Sequence, residues 1–257
     1  GKTTLVTEFA KNYDFFISLN LEKAADKDFF EAYDDVKTIV ESLFLSNNIT
    51  PDQQRNTLLF IDEIQELPKA IQLLRYFYEE VPGLHVVAAG SLLEFAMKEV
   101  ESFPVGRVEF LYLYPLNFGE YLQAIDHSAA LKQLTNVPIN PVAHRTLLEL
   151  FHRYAIIGGM PEVVKRDIGD GNLANLPKVY ESIWATYKED VEKYTSNSTE
   201  RRVIRHIMDT APLNIDQRIK FQNFGNSNYR SREVGEAMRN LDAAKIIQLI
   251  YPTTDIE

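Results

Sequence analysis

Apolar positions fall into two regimes along the chain. Up to about residue 114, short unbroken apolar runs alternate with stretches in which apolar residues recur at helical spacing. The runs are DFFISLNLE at 14–22, TLLFIDEIQ at 57–65, HVVAAGS at 85–91 and VEFLYLY at 108–114, the last closed by Pro115. Each reads as a strand, and four consecutive apolar residues in LLFI predict one buried on both faces, as in a parallel sheet. Helices are expected over TLVTEFAKNY, over about 27–45, from Pro68 to Val81 and over LLEFAMKEV. In the third of these Ile71, Leu74, Tyr78 and Val81 line one side, and Pro82-Gly83 ends it. Such alternation predicts an α/β fold with a parallel sheet. From about Asn117 helices take over, at 117–125, 141–156 and 176–193, and from about Thr199 the chain is short-segmented, basic and mixed.

Composition narrows the class. The 257 residues are 45% hydrophobic and 25% charged, enough for a sizeable core in one large domain or two smaller ones. No apolar run approaches the roughly 18 residues of a membrane span, so no membrane partner is expected. The chain has no cysteine, which excludes disulfides and thiolate metal sites and fits a reducing, cytoplasmic setting. The five histidines, at 85, 127, 144, 152 and 206, form no HxxxH or HExxH pattern. A net charge of −10 argues against a nucleic-acid footprint over the whole surface. The charge is uneven, however: between Arg201 and Arg239 eight Lys or Arg stand against four Asp or Glu, a local +4 that leaves −14 on the remainder.

The candidate chemistry lies in four short stretches. Gly1-Lys2-Thr3-Thr4 matches the end of a phosphate-binding loop, GxxxxGK[ST], and runs into a segment with helical spacing. A helix N-terminus binds anions, because its first N–H groups lack intrahelical partners and its dipole places partial positive charge there. The triplet alone also occurs by chance, so the other parts of a nucleotide site have to follow. In LLFIDE, Asp62 and Glu63 end a buried strand, where ligands sit in open α/β sheets. ATP hydrolysis needs a phosphate cradle, a hard cation and a group that activates water. Lys2 would reach the β- and γ-phosphates, Asp62 and the Thr3 hydroxyl would hold the Mg²⁺ shell, and Glu63 would polarise the water. For an isolated pair the alternative is a solvated strand end. Ser91, closing the next strand, could sense the γ-phosphate or cap the helix after it. Arg107 in FPVGRVEF is a candidate arginine finger or ligand sensor, or a plain surface arginine.

Taken together, GKTTL, LLFIDEIQ, AAGSLL, SFPVGRVEFLYLYPLNFGEYL and YAIIGGMPEVV, in this order, resemble the bacterial and archaeal AAA-type ATPases that carry a C-terminal domain of unknown function. The resemblance covers essentially the whole chain. It implies an additional-strand P-loop sheet over 1–125, a helical lid over 126–195 and a winged-helix-like segment over 196–257. It also implies ATP and Mg²⁺ as ligands, with Glu63, Ser91 and Arg107 serving catalysis. By analogy with related signalling ATPases, Gly159 and Pro161 would lie near the adenine; read from the residues alone, they form only a tight turn. The basic C-terminal segment could contact a phosphate backbone, a protein partner or its own ATPase domain, and oligomerisation is compatible with all of these. Two function classes follow: an ATPase that drives a conformational switch, or a nucleic-acid- or protein-binding regulator with little turnover. A small-molecule kinase fits less well, since no acceptor-site pattern is visible. By the same comparison the first strand and most of the phosphate loop would precede Gly1, pairing between the strand ending at Ser91 and the one starting near Val108. The 257-residue chain alone is therefore expected to fold poorly and bind ATP weakly.

Overall fold

A computed structural model describes residues 1–91, 106–193, 195 and 197–252. The expected helix LLEFAMKEV, at 92–100, lies outside these described residues. The first helix, α1 (Lys2–Ala10), leads into β1 (Phe15–Asn20), followed by α2 (Ala24–Ala32) and α3 (Val36–Ser46). A 3₁₀ turn at Pro51–Asn56 delivers β2 (Thr57–Asp62), and a second at Ile64–Glu66 precedes α4 (Pro68–Glu80) and β3 (His85–Ala88). The sheet is parallel, in the order β1-β2-β3, with Leu19 level with Ile61 and Ile61 level with Ala88.

All six residues of β2 are buried, as the unbroken apolar run requires of a central strand covered on both faces. On one face Ile17, Leu19, Leu59 and Ile61 join a core with Ile39, Leu43, Ile71 and Phe77 of α3 and α4. Helix α1 packs against β2 as well. The helical region expected over about 27–45 is two helices, separated at 33–35. Asp35 causes the restart: it is an extended N-cap whose carboxylate accepts from the Thr38 N–H at 2.9 Å and from the Thr38 hydroxyl at 2.8 Å. Those bonds hold the Asp35 carboxyl below its ordinary range.

Residues 108–114 do not form the expected strand. They pair with no strand among the described residues, and Leu111 is 90% exposed. An apolar run specifies a segment that suits a sheet, but a strand exists only through a hydrogen-bonded neighbour, and among the described residues the sheet ends at β3.

Two compact units divide the chain: residues 111–187, and residues 2–110 together with 188–257. The first is helical, with α5 (Phe118–Ala124), α6 (Ser128–Gln133), α7 (Pro141–Ile157), α8 (Pro161–Asp170) and the beginning of α9 (Leu176–Lys193). Its core is built on Tyr121, Leu122, Leu147, Ile157, Val163 and Leu176. A part-buried ion pair braces it: the Arg153 guanidinium donates to both carboxylate oxygens of Asp167, at 3.1 and 2.5 Å. The second unit ends with α10 (Ser198–Thr210) and α11 (Ser231–Ala243), which pack together through buried residues such as Ile204, Ile207, Val234 and Leu241. Among the described residues no strand follows β3.

Candidate functional site

The site is assembled where α1 begins and β2 ends. Thr3, in the first turn of α1, donates its hydroxyl to Asp62 Oδ2 at 2.8 Å across 59 residues of sequence. The other carboxylate oxygen of Asp62 accepts from the Glu63 backbone N–H at 3.1 Å. Asp62 is thus 7% exposed and held from two sides. A buried carboxylate with both oxygens engaged is fixed in direction, which is what coordination of a hard cation needs.

Glu63 follows in the left-handed region, at φ 52° and ψ 43°. For a residue with a long side chain this conformation costs about 1–3 kcal/mol, and strain of that kind gathers at functional positions. The strained residue reverses the chain into the 3₁₀ turn, closed by the Glu66 N–H on the Glu63 carbonyl at 3.0 Å. The turn is pinned to the next strand by the Ile64 N–H on the Ala89 carbonyl, also 3.0 Å. Its carboxylate is half-buried and accepts from Gln65 Nε2 at 2.6 Å. Gln65 itself is 7% exposed, and its Oε1 has no hydrogen-bond partner among the described residues. A buried acceptor left so costs about 1–3 kcal/mol. Neither Gln65 nor Gly90, against which it lies, was singled out in the sequence. The signal is a polar letter two places after Glu63, in a stretch that follows directly on a buried strand.

Lys2 opens α1 and is half-buried, Thr4 lies one residue after Thr3, and Gly1 immediately precedes the helix. Ser91 stands three residues past the end of β3, half-buried; the helix it would cap is outside the described residues. Asn20, level with Asp62 across β1 and β2, turns its side chain to its own loop and accepts from the Glu22 N–H at 2.8 Å.

Arg107 is placed elsewhere. Its Nε donates to Glu79 Oε1 at 2.9 Å, beside Arg75, which bonds the same oxygen at 2.9 Å. The Arg75 bond, reinforced by Arg107, holds the Glu79 carboxyl below its ordinary range. Glu79 lies at the end of α4 that leads into the start of β3, whereas Asp62 and Glu63 lie where the strands finish. Gly159 and Pro161 belong to the unit at 111–187. There a Cβ on Gly159 would fall inside the Leu116 backbone, within 2.8 Å of both its N and its carbonyl C, and the Leu116 N–H donates to the Gly159 carbonyl at 2.7 Å. The glycine is therefore required by a close backbone approach, and Pro161 opens α8 at its first position, where its missing N–H costs nothing.

Among the described residues no three His, Asp or Glu side chains converge as a metal cage. Thr3 and Asp62 offer instead two hard oxygens, a donor set that suits Mg²⁺ only when phosphate oxygens and water complete the shell. Among the described residues no helix is long and apolar enough to cross a membrane.

With this geometry in view, comparison with protein families gives a direct answer for the first half. Residues 1–122 match the AAA domain family. The AAA match covers α1, the three strands and the Thr3, Asp62 and Glu63 cluster, and it points to a nucleotide-binding, ATPase-like domain. Residues 148–256 match a family described only as a domain of unknown function. No curated protein and no solved structure matches the chain significantly.

Proposed function

We propose that the protein binds ATP at the start of α1 and hydrolyses it in a Mg²⁺-dependent reaction. The observation that carries this reading is the bond from Thr3 to Asp62, which joins a helix N-terminus to the end of a buried strand and sets Glu63 beside it. Lys2 and the first N–H groups of α1 receive the phosphates, with the helix dipole favouring their charge. Thr3 and Asp62 would hold a Mg²⁺, which would supply positive charge to the phosphates. Glu63 takes a proton from water as the water oxygen bonds to the terminal phosphorus and the bond to the bridging oxygen breaks, leaving ADP and inorganic phosphate. Ser91, three residues past β3, is the candidate for registering the terminal phosphate. Arg107, paired with Glu79, has no part in this set within one chain.

The test is ATP binding and phosphate release, with and without Mg²⁺, on the longest form of the protein its gene encodes. Lys2→Ala is expected to lose binding. Glu63→Gln is expected to keep binding while turnover falls about 100-fold or more. Equal turnover in Glu63→Gln and wild type would remove Glu63 from the role of base.

A further inference from the structure

Gln65 takes no part in the reaction just described, yet its surroundings are unusual for a bystander. Its amide Nε2 donates to Glu63 Oε2 at 2.6 Å, while Oε1 is buried and has no partner among the described residues. Turning the amide over would set Oε1 against the Glu63 carboxylate, so the acceptor next door fixes the orientation. A methionine or leucine would fill the same volume without stranding an oxygen. What the amide contributes is its N–H.

Gly90 completes the arrangement. A Cβ there would run into Gln65 Oε1 and stand 3.4 Å from Gln65 Cδ and 3.5 Å from Ile64 Cγ2. The backbone on both sides is tied, the Ile64 N–H to the Ala89 carbonyl at 3.0 Å and the Ala89 N–H to the Ile61 carbonyl at 2.9 Å, so room for a Cβ is made by swinging the Gln65 amide away from Glu63. We propose that Gln65 is a positioning residue that fixes the Glu63 carboxylate, and that Gly90 is glycine because the Gln65 amide occupies the space of a side chain. The contact stands on geometry alone; its consequence for turnover rests on the hydrolytic reading of Glu63.

The experiment compares wild type, Gln65→Met, Gln65→Ala, Gly90→Ala and the Gln65→Ala/Gly90→Ala pair in the longest form of the protein. Gln65→Met keeps the volume and loses the N–H, so kcat is expected to fall about tenfold or more with KM for ATP and the unfolding midpoint unchanged. In a Glu63→Gln background the same change is expected to add nothing. Gly90→Ala should lower kcat in wild type and have no further effect once Gln65 is alanine. Multiplying effects of the two alanines, or an unchanged kcat in Gln65→Met, would overturn the proposal. A second readout needs no turnover: the ¹⁵N side-chain amide signal of Gln65, assigned by its loss in Gln65→Met, should move on Glu63→Gln. If the wild type does not hydrolyse ATP, the hydrolytic reading fails and this signal decides the contact: a shift upholds the pairing and indifference to Glu63→Gln refutes it.

Discussion

At the scale of single residues, the protein uses one carboxylate to orient another group and one glycine to let two backbones meet. Asp62 receives Thr3 from α1 and the N–H of Glu63 from its own strand, so a change at either oxygen alters the direction of the whole side chain. Thr3→Ala is expected to cost about 1 kcal/mol of stability, the ordinary net worth of one hydrogen bond, and to weaken the Mg²⁺ dependence of nucleotide binding; titrating ATP at several Mg²⁺ concentrations checks the second part. Gly159→Ala acts on the fold of its own unit. Its Cβ would overlap the Leu116 backbone, and an overlap with main chain cannot be relieved by a rotamer change. A loss of at least about 2 kcal/mol in urea unfolding is expected. In the same unit, Arg153→Met leaves the Asp167 carboxylate buried without its cation. Because the Arg153 side chain is 38% exposed while that of Asp167 is 4% exposed, the expected cost is about 1–3 kcal/mol, between that of an exposed pair and that of a broken buried one.

At the scale of elements, the sequence pattern was readable wherever an element's apolar positions agree with what surrounds it. TLLFID is buried throughout and forms the middle strand, and the helix over 176–193 is bounded as its spacing suggests. Two elements were not readable for reasons of contact. The stretch VEFLYLY is apolar enough for a strand, yet a ladder needs a neighbour that composition does not specify. The region 27–45 is helical on both sides of a break whose cause is one local side-chain bond, from Asp35 to Thr38. In the site, the ends of the strands were legible as paired acids and small residues, while the clamp between Gln65 and Glu63 was not, because it depends on a left-handed turn that brings positions two apart face to face. The Asp35 cap also makes a pH prediction. Its folded pKa is depressed, so its contribution to stability is present above the unfolded value of about 3.9 and is lost as pH falls through the folded one. Asp35→Ala should therefore lower the thermal midpoint at neutral pH, and the difference from wild type should shrink in acid, whereas Asp35→Asn should keep the cap at both.

At the scale of the whole molecule, a nucleotide bound only by the folded state raises stability by mass action. At a free concentration 100 times Kd this amounts to about 2.7 kcal/mol, or on the order of 5–10 °C in a chain of this size. Mg-ATP should raise the thermal midpoint of wild type and of Glu63→Gln, and leave that of Lys2→Ala where it was. The left-handed backbone at Glu63 has a consequence for anyone who improves this protein by screening. The residues that sit most comfortably at that φ are glycine and asparagine, and neither carries a carboxylate. A library sorted for heat resistance alone would enrich Glu63→Gly or Glu63→Asn among its winners, and each gain in robustness there would silently remove the carboxylate on which the proposed hydrolysis depends.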